Sequence, residues 1–150
     1  MKVYKTNEIK NIAILGSSGT GKTTFAEAIL FESGLIKRRG TIEGKNTVSD
    51  YTPVEKEYGY SVFSSLLSIE WKEKKMNFID CPGSDDFIGG VISALNVSDM
   101  GLMLIDATSG VEVGTMNQFR LTEKFNAPVT FVINQLDHEK ADYENALTNL

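Results

Sequence analysis

The chain has 150 residues, of which 41% are hydrophobic and 23% are charged, and this balance predicts a soluble globular domain rather than a disordered chain. The formal net charge of −5 argues against a protein that holds DNA by a basic surface. Docking on RNA through one local patch stays open, because a single patch does not require a basic chain.

The cysteine content and the first residues indicate a compartment. Cys81 is the only cysteine, so no internal disulfide can form and a reducing environment is expected. The opening residues MKVYKTNEIKN lack the apolar segment of a signal peptide, and no apolar run approaches the ~20 residues of a membrane span. We therefore expect a cytoplasmic protein that contacts no membrane.

Strand-like and helix-like segments alternate along the chain. Periodicity and turn signals predict, in order, strand 9–15, helix 22–33, strands 60–71 and 76–80 joined as a hairpin, helix 85–97, strand 100–107, helix 112–125, strand 129–134 and helix 138–150. The segment 38–59 is polar and lacks periodicity, which predicts a long connection of the kind that is usually functional or mobile. No internal repeat or linker divides the chain, so residues 1–150 are expected to form one domain.

The order of these segments predicts the fold class. Strands 100–107 and 129–134 are nearly continuous in apolar residues, as expected for parallel strands that helices cover on both faces. The alternation predicts a doubly wound α/β fold with a mostly parallel sheet, to which the hairpin adds one antiparallel strand. Ligands of such sheets bind at the carboxyl ends of the strands, so the residues directly after each strand are the candidates for chemistry.

Residues 16–23 (GSSGTGKT) match the phosphate-loop pattern G-x-x-x-x-G-K-[ST], and they follow a predicted strand and open a predicted helix. The glycines let backbone N–H groups point at phosphate oxygens, and the helix N-terminus adds a partial positive charge. Lys22 is expected to reach the β- and γ-phosphates, and Thr23 to offer its hydroxyl to Mg²⁺. The alternative is a glycine-rich turn with a surface lysine. Kinases, ATPases and GTPases share this motif, so it does not select the base.

Two further patterns follow predicted strands. Asp80-x-x-Gly83 is the pattern with which nucleotide switches sense a terminal phosphate. A buried carboxylate at Asp137 can accept from N1–H and the amino group of guanine, whereas adenine would leave it unpaired. Asn134 is expected to contact N7 of the base and to tie its loop to the phosphate loop. The alternative is that Asn134 and Asp137 cap the helix that follows them.

These three patterns stand in the order that GTPases use, and the chain resembles the G domain of translational GTPases, most closely that of elongation factor G. The resemblance covers nearly the whole chain and is strongest in residues 11–24, 50–65, 77–87, 107–115 and 129–137. It implies a Ras-like G domain of the P-loop NTPase class that binds GTP or GDP with Mg²⁺. It also implies a monomer that works on the ribosome and promotes translocation.

The resemblance assigns roles to matching positions. Asp80 would hold Mg²⁺ through water, and the Gly83 N–H would sense the γ-phosphate. Loading of that phosphate should order the loop before Tyr60 and the segment after Gly83. The implied metal-binding residues are Thr23, Ser61 and Asp80. The implied nucleotide-binding residues are Gly16, Ser17, Ser18, Gly19, Thr20, Gly21, Lys22, Thr23, Thr24, Asp80, Gly83, Asn134, Gln135 and Asp137.

Several positions depart from the family pattern. Ser61 stands where the family has a Mg²⁺-binding threonine, and Tyr58 and Tyr60 replace an arginine and an isoleucine. Gln135 replaces a lysine whose stem covers the base, so guanine affinity is expected to be weaker. Ser84 stands where the family has the histidine that positions the attacking water. Serine is too short for that task, so we expect impaired hydrolysis with nucleotide binding retained.

Alternatives to this interpretation stay open. Ser84 also suits the N-cap of a helix that begins with Asp85 and Asp86. Asp85 is a second candidate for positioning water, although a triphosphate would repel its carboxylate. The protein could also be a normally active ribosome-stimulated GTPase, a ribosome-protection or peptide-release factor, or a P-loop kinase or ATPase. No S-A-x motif follows Asp137, so the chain is expected to be the N-terminal G domain of a longer multidomain protein, truncated at its C-terminus.

Overall fold

A computed structural model describes residues 2–150 as a five-stranded sheet with helices on both faces. The strands are β1 (Ile9–Leu15), β2 (Ser65–Trp71), β3 (Lys74–Asp80), β4 (Met100–Asp106) and β5 (Val129–Asn134). The helices are α1 (Lys22–Glu32), α2 (Pro53–Tyr58), α3 (Ile88–Leu95), α4 (Val113–Lys124) and α5 (Tyr143–Thr148). Short 3₁₀ turns occupy Thr6–Glu8 and Asp85–Phe87. None of the helices in this part of the chain is both long enough and apolar enough to cross a bilayer.

The sheet has the strand order β2-β3-β1-β4-β5. β1 pairs in parallel with β3 and β4, β4 pairs in parallel with β5, and β2 alone runs antiparallel, beside β3. Lys72 and Glu73 form the two-residue hairpin turn, and both have positive φ angles, as a turn that matches the twist of the strands requires. The predicted doubly wound sheet with one antiparallel strand is confirmed.

Alternate residues of the central strands supply two apolar cores, one on each face of the sheet. Strand geometry sends successive side chains to opposite faces, so Ala13 and Leu15 join one core while Ile12 and Ile14 join the other. The first core is completed by Cys81, Val91, Ala94, Leu95, Met103, Ile105 and Ala146. The second is completed by Ala26, Leu30, Leu67, Ile69, Phe78 and Leu104. Burial on both faces explains the continuous apolar run of β4. The same expectation was wrong for β5, an edge strand in which Thr130 and Phe131 are exposed.

The structure corrects the prediction for residues 38–71. The strand predicted from Tyr60 begins only at Ser65, which pairs with Asp80, the last residue of β3. The N–H groups of Val62 and Phe63 bind the carboxylate of Glu55 instead. The predicted loop 38–59 contains α2. A capping box between Thr52 and Glu55 starts this helix, so its signal is local and was missed because the helix has only six residues.

The last helix is also shorter than predicted. The sequence predicts a helix over 138–150, whereas α5 spans Tyr143–Thr148. Asp142 is its N-cap and accepts a hydrogen bond from the Asn145 N–H. Residues 138–141 form turns, in which the Ala141 N–H donates to the His138 carbonyl. The helix therefore starts at its cap, well after the end of the base-recognition pattern.

Leu104 tests the two-sided core. It is fully buried at the centre of the sheet, whereas Leu66 is 66% exposed on the edge strand β2. Leu104→Ala is expected to lower the free energy of unfolding by about 3 kcal/mol, because the substitution removes buried methyl groups and leaves a cavity. Leu66→Ala is the matched control and should cost less than about 0.5 kcal/mol. Urea denaturation measures both values, and equal losses would contradict the assigned core.

Candidate functional site

A cavity of about 530 Å³ opens at the carboxyl ends of the central strands. Its wall combines the phosphate loop (residues 16–23), the segment 83–87 after β3, and residues 59–61 before β2. Asp50 also lines it. The structure thus brings together three segments that are far apart in the sequence, at the edge where doubly wound sheets bind their ligands.

The phosphate loop runs from β1 into the N-terminus of α1. Gly21 precedes the helix in the left-handed conformation, with φ of 84°, and no side chain caps the first turn. The first N–H groups of α1 are therefore free to bind an anion. Lys22 is buried, and its Nζ donates to the carbonyls of Gly16 at 2.9 Å and Ser17 at 2.7 Å. Burial lowers the pKa of Lys22.

Thr23, Ser61 and Asp80 meet as the resemblance implied. The Thr23 Oγ1 donates to Asp80 Oδ2 at 2.9 Å and lies 3.2 Å from the Ser61 Oγ. Burial raises the pKa of Asp80 to about 6. Among residues 2–150, Asp80 Oδ1 and both carboxylate oxygens of Asp50 are buried without a hydrogen-bond partner. Unpartnered oxygens beside two hydroxyls form a donor set that suits a hard divalent cation such as Mg²⁺.

Gly83 lies directly against the phosphate loop. A Cβ added to Gly83 would lie 2.6 Å from both the Ser18 N and the Lys22 Nζ. A side chain at this position would therefore displace the loop or the lysine. This close approach places the Gly83 backbone where an anion held by the phosphate loop would end.

The two alternatives for Ser84 and Asp85 have different outcomes. Ser84 Oγ accepts from the Asp86 N–H at 3.3 Å, so Ser84 caps the 3₁₀ turn Asp85–Phe87 and the capping interpretation is confirmed. Ser84 still lines the cavity. The Asp85 carboxylate accepts from the Asn117 amide at 2.8 Å, and α4 thereby holds this side chain.

The residues after β5 are tied to the phosphate loop. The Asn134 amide donates to the Thr20 carbonyl at 2.8 Å, as the sequence predicted, and the Gln135 amide donates to the Gly19 carbonyl at 2.7 Å. Gln135 adopts a φ of 60°, an uncommon conformation for a residue other than glycine. The expectation that the Asp137 carboxylate is buried was wrong, because Asp137 is exposed in the turn after β5. Neither Asn134 nor Asp137 caps α5, because Asp142 does so. The helix-capping alternative was wrong.

An aromatic cluster connects the two segments that flank the cavity. Tyr60 stacks on Phe87 with ring centroids 6.4 Å apart, and Tyr58 packs on Tyr60 at 5.9 Å. Tyr60 and Phe87 both line the cavity. The stack therefore links the residues before β2 to those after β3 across its mouth.

Comparison with known proteins identifies the arrangement. Residues 7–150 match the family described as the elongation factor Tu GTP-binding domain. The chain belongs to this family. It is 37% identical over 142 residues to the elongation factor G-like protein of Thermotoga maritima, over 95% of this chain and 20% of that protein. It is 34% identical over 143 residues to the mitochondrial ribosome-releasing factor 2 of Candida dubliniensis, over 95% of this chain and 18% of that protein.

A solved structure agrees with this assignment. The crystal structure of a Thermus thermophilus protein matches with a TM-score of 0.91 and 34% identity, over 95% of this chain and 21% of that chain. The fold is therefore a Ras-like P-loop GTPase domain, and the resemblance to translational GTPases of the elongation factor G type is confirmed. The chain spans about a fifth of the length of these relatives.

Two residues of this translational GTPase domain were missed from the sequence. Gln118 is completely buried in α4, accepts from the Gly16 N–H at 2.8 Å and donates to the Pro82 carbonyl at 3.4 Å, so it joins the phosphate loop to the residues before Gly83. Its signal was a polar helix face, which looks like a solvated face until the packing is known. Asp50 lies in the segment 50–65 that carries the family resemblance, but no role was predicted for its carboxylate.

Gly83 and Gly89 form a matched pair of substitutions in this GTPase domain. Gly83→Ala places a methyl group against the phosphate loop. We expect this clash to cost more than about 1.4 kcal/mol of binding free energy, which corresponds to a more than tenfold weaker nucleotide affinity. Gly89→Ala meets no atom within 4 Å and should leave affinity unchanged while stabilising α3 by about 0.5–1 kcal/mol. Calorimetric titration with GDP measures both effects. Equal affinities for the two variants would contradict the close approach.

Proposed function

We propose that this domain binds GTP and GDP with Mg²⁺ and acts as the nucleotide switch of an elongation factor G-like translation factor that promotes ribosomal translocation. The observation that carries the proposal is that Lys22, Thr23 and Ser61 line one cavity while the buried Asp80 accepts a hydrogen bond from Thr23. Asn134 is bonded to the phosphate loop nearby. A lysine, two hydroxyls and a buried carboxylate from segments remote in the sequence together form a set of groups that suits a phosphate and its metal ion.

The phosphates would lie in the cradle of residues 16–24. The free N–H groups at the start of α1 and the buried Lys22 offer positive charge there. Lys22 now donates to two loop carbonyls, and we propose that it exchanges these bonds for phosphate oxygens when nucleotide binds. The Gly83 N–H would then contact the terminal phosphate, since Gly83 already lies beside Ser18 and Lys22.

A Mg²⁺ ion would be held by Thr23, Ser61 and Asp80, with Asp50 as a further oxygen ligand, direct or through water. The unpartnered carboxylate oxygens supply the negative charge that such an ion requires. When bound, the ion neutralises charge on the β- and γ-phosphates. Ser61 keeps the hydroxyl of the family threonine but lacks the methyl group that restricts its rotamer.

Guanine would be recognised by Asn134 and Asp137. Asp137 is exposed and not required as a helix cap, so its carboxylate is free for the N1–H and amino group of the base. Gln135 binds the Gly19 carbonyl, and we propose that it stabilises the loop instead of covering the base. With Gln135 in place of the family lysine, the affinity for guanine would be lower.

We propose that GTP hydrolysis is impaired. Ser84 stands where the family has a water-positioning histidine, and its short side chain is engaged with Asp86. Asp85 is bound by Asn117 and does not substitute for it. Loss of a positioned general acid, base or orienting group typically costs about 10²–10⁴ in rate. GTP would then act chiefly as a conformational ligand.

The setting of the domain is part of the proposal. We infer that residues 1–150 are one GTP-binding domain of a longer cytoplasmic factor that binds the ribosome as a monomer and does not bind DNA. The net charge of −5 and the family membership support this interpretation. A second candidate is a role in ribosome release, which the 34% identity to a protein named ribosome-releasing factor 2 favours.

Nucleotide selectivity tests the base assignment. The chain is expected to bind GDP and a non-hydrolysable GTP analogue, and an equal concentration of ATP should not compete. Asp137→Asn should weaken guanine nucleotide binding about hundredfold, because it replaces a charged acceptor that pairs with two donors. Asp142→Asn, which keeps a residue that can cap α5, should have no effect. Competition by ATP would instead indicate a kinase or ATPase.

Ribosome-stimulated turnover tests the hydrolysis proposal. In the factor that carries this domain, turnover should be slow, and Ser84→His should raise it about 10²-fold or more by restoring a group that can orient water. Ser93→His makes the same change on an exposed position of α3 and should not alter the rate. An unmodified rate equal to that of an ordinary elongation factor G would overturn impaired hydrolysis without affecting the nucleotide-binding proposal.

A further inference from the structure

Glu55 is a buried carboxylate with no cation paired to it. It lies in α2 and is only 1% exposed. Within residues 2–150 the one ion pair joins Arg39 to Glu32, far from this position in the sequence. A carboxylate loses much hydration when it is buried, so it is retained only where other groups replace the lost water.

Four hydrogen bonds replace that water. Glu55 Oε1 accepts from the Val62 N–H and the Phe63 N–H, each at 3.1 Å. Glu55 Oε2 accepts from the Thr52 N–H at 3.2 Å and from the Thr52 hydroxyl at 2.7 Å. Burial alone would raise the pKa of Glu55, but these bonds outweigh burial and hold its pKa below the usual value. The carboxylate is therefore charged and fully engaged.

The positions of these donors tie Glu55 to the site. Val62 and Phe63 directly follow Ser61, whose hydroxyl lies 3.2 Å from that of Thr23. Thr52 follows closely on Asp50, which lines the cavity. Glu55 thus binds the backbone on both sides of α2. Its contacts lie next to Asp50 and Ser61, the two residues of this segment at the candidate metal site.

We infer that Glu55 is a positioning residue that fixes Ser61 on the metal and γ-phosphate side of the cavity. This inference rests on the proposed GTP and Mg²⁺ binding. Glu55 touches neither ligand and acts through the backbone of residues 62 and 63. Val62 and Phe63 lie between Ser61 and the start of β2 at Ser65, so these bonds fix the course of the loop that holds Ser61.

A positioning role predicts a selective effect on the triphosphate state. Ser61 belongs to the segment whose order is expected to depend on the γ-phosphate and its metal, whereas Lys22 and Thr23 belong to the phosphate loop itself. Loss of Glu55 should therefore raise the Mg²⁺ concentration needed to bind a GTP analogue, while binding of GDP through the phosphate loop should change little. A residue that only stabilises the fold would affect both nucleotides alike.

The experiment titrates Mg²⁺ against binding of a non-hydrolysable GTP analogue and of GDP to the 150-residue chain. Glu55→Ala is expected to raise the half-saturating Mg²⁺ concentration about tenfold for the GTP analogue and by less than about twofold for GDP, as the loss of charged hydrogen bonds implies. Glu55→Gln keeps one oxygen for Val62 and Phe63. It should raise the half-saturating Mg²⁺ concentration for the GTP analogue about threefold, since neutral acceptors are weaker. Glu57→Ala and Glu57→Gln remove the same charge at an exposed position of α2 and should leave the half-saturating Mg²⁺ concentrations unchanged.

Each outcome supports or overturns the positioning role. A selective shift for Glu55→Ala, partly rescued by glutamine, supports it. If Glu55→Ala does not fold, the comparison of Glu55→Gln with Glu57→Gln decides in the same way. No shift relative to the Glu57 variants, or an equal shift for both nucleotides, overturns the positioning role while the proposed function stands. An unmodified chain that binds neither nucleotide overturns both.

Discussion

Asp50 and Asp80 are buried carboxylates that repel one another, and the arrangement of the site follows from that conflict. Lys22 is buried with them and attracts both, although burial lowers its own pKa. One buried cation cannot fully offset two buried anions in a medium of low dielectric. A divalent cation is the simplest group that would relieve the repulsion, so the proposed Mg²⁺ would stabilise the close approach of the three segments around the cavity.

Two glutamate carboxylates accept hydrogen bonds from the backbone of the long segment before β2. Glu27 of α1 is 1% exposed and accepts from the N–H groups of Gly40 and Val48. Glu55 performs the same task for residues after α2. Both carboxylates bind backbone N–H groups, one from α1 outside the loop and one from α2 within it, and together they fix the course of the loop. The aromatic stack of Tyr60 on Phe87 adds a contact that depends on side chains and joins this loop to the segment after β3.

The sheet and the meeting of Thr23, Ser61 and Asp80 beside the phosphate loop could be predicted from the sequence, because the patterns that carry them are local. The phosphate loop needs glycines and a lysine at fixed spacing, and the apolar runs of β4 and β5 can be recognised without knowledge of their neighbours. Gln118 and Asp50 could not be predicted, because their roles depend on which buried face meets which loop. The predicted start of β2 was wrong for the same reason, since the ladder with β3 ends at Asp80 and the Val62 N–H binds Glu55 of the preceding helix instead.

Cys81 directly follows Asp80 in the phosphate-sensing pattern, and its side chain is fully buried in one of the two apolar cores. Burial raises the pKa of its thiol to about 12, so the thiolate that reacts with electrophiles is scarce at neutral pH. Because the chain has no other cysteine, its surface carries no reactive thiol. A single cysteine introduced near Tyr60 would be the only labelling site, and the proposed response of this loop to nucleotide could be followed in real time without removing any native residue from the core.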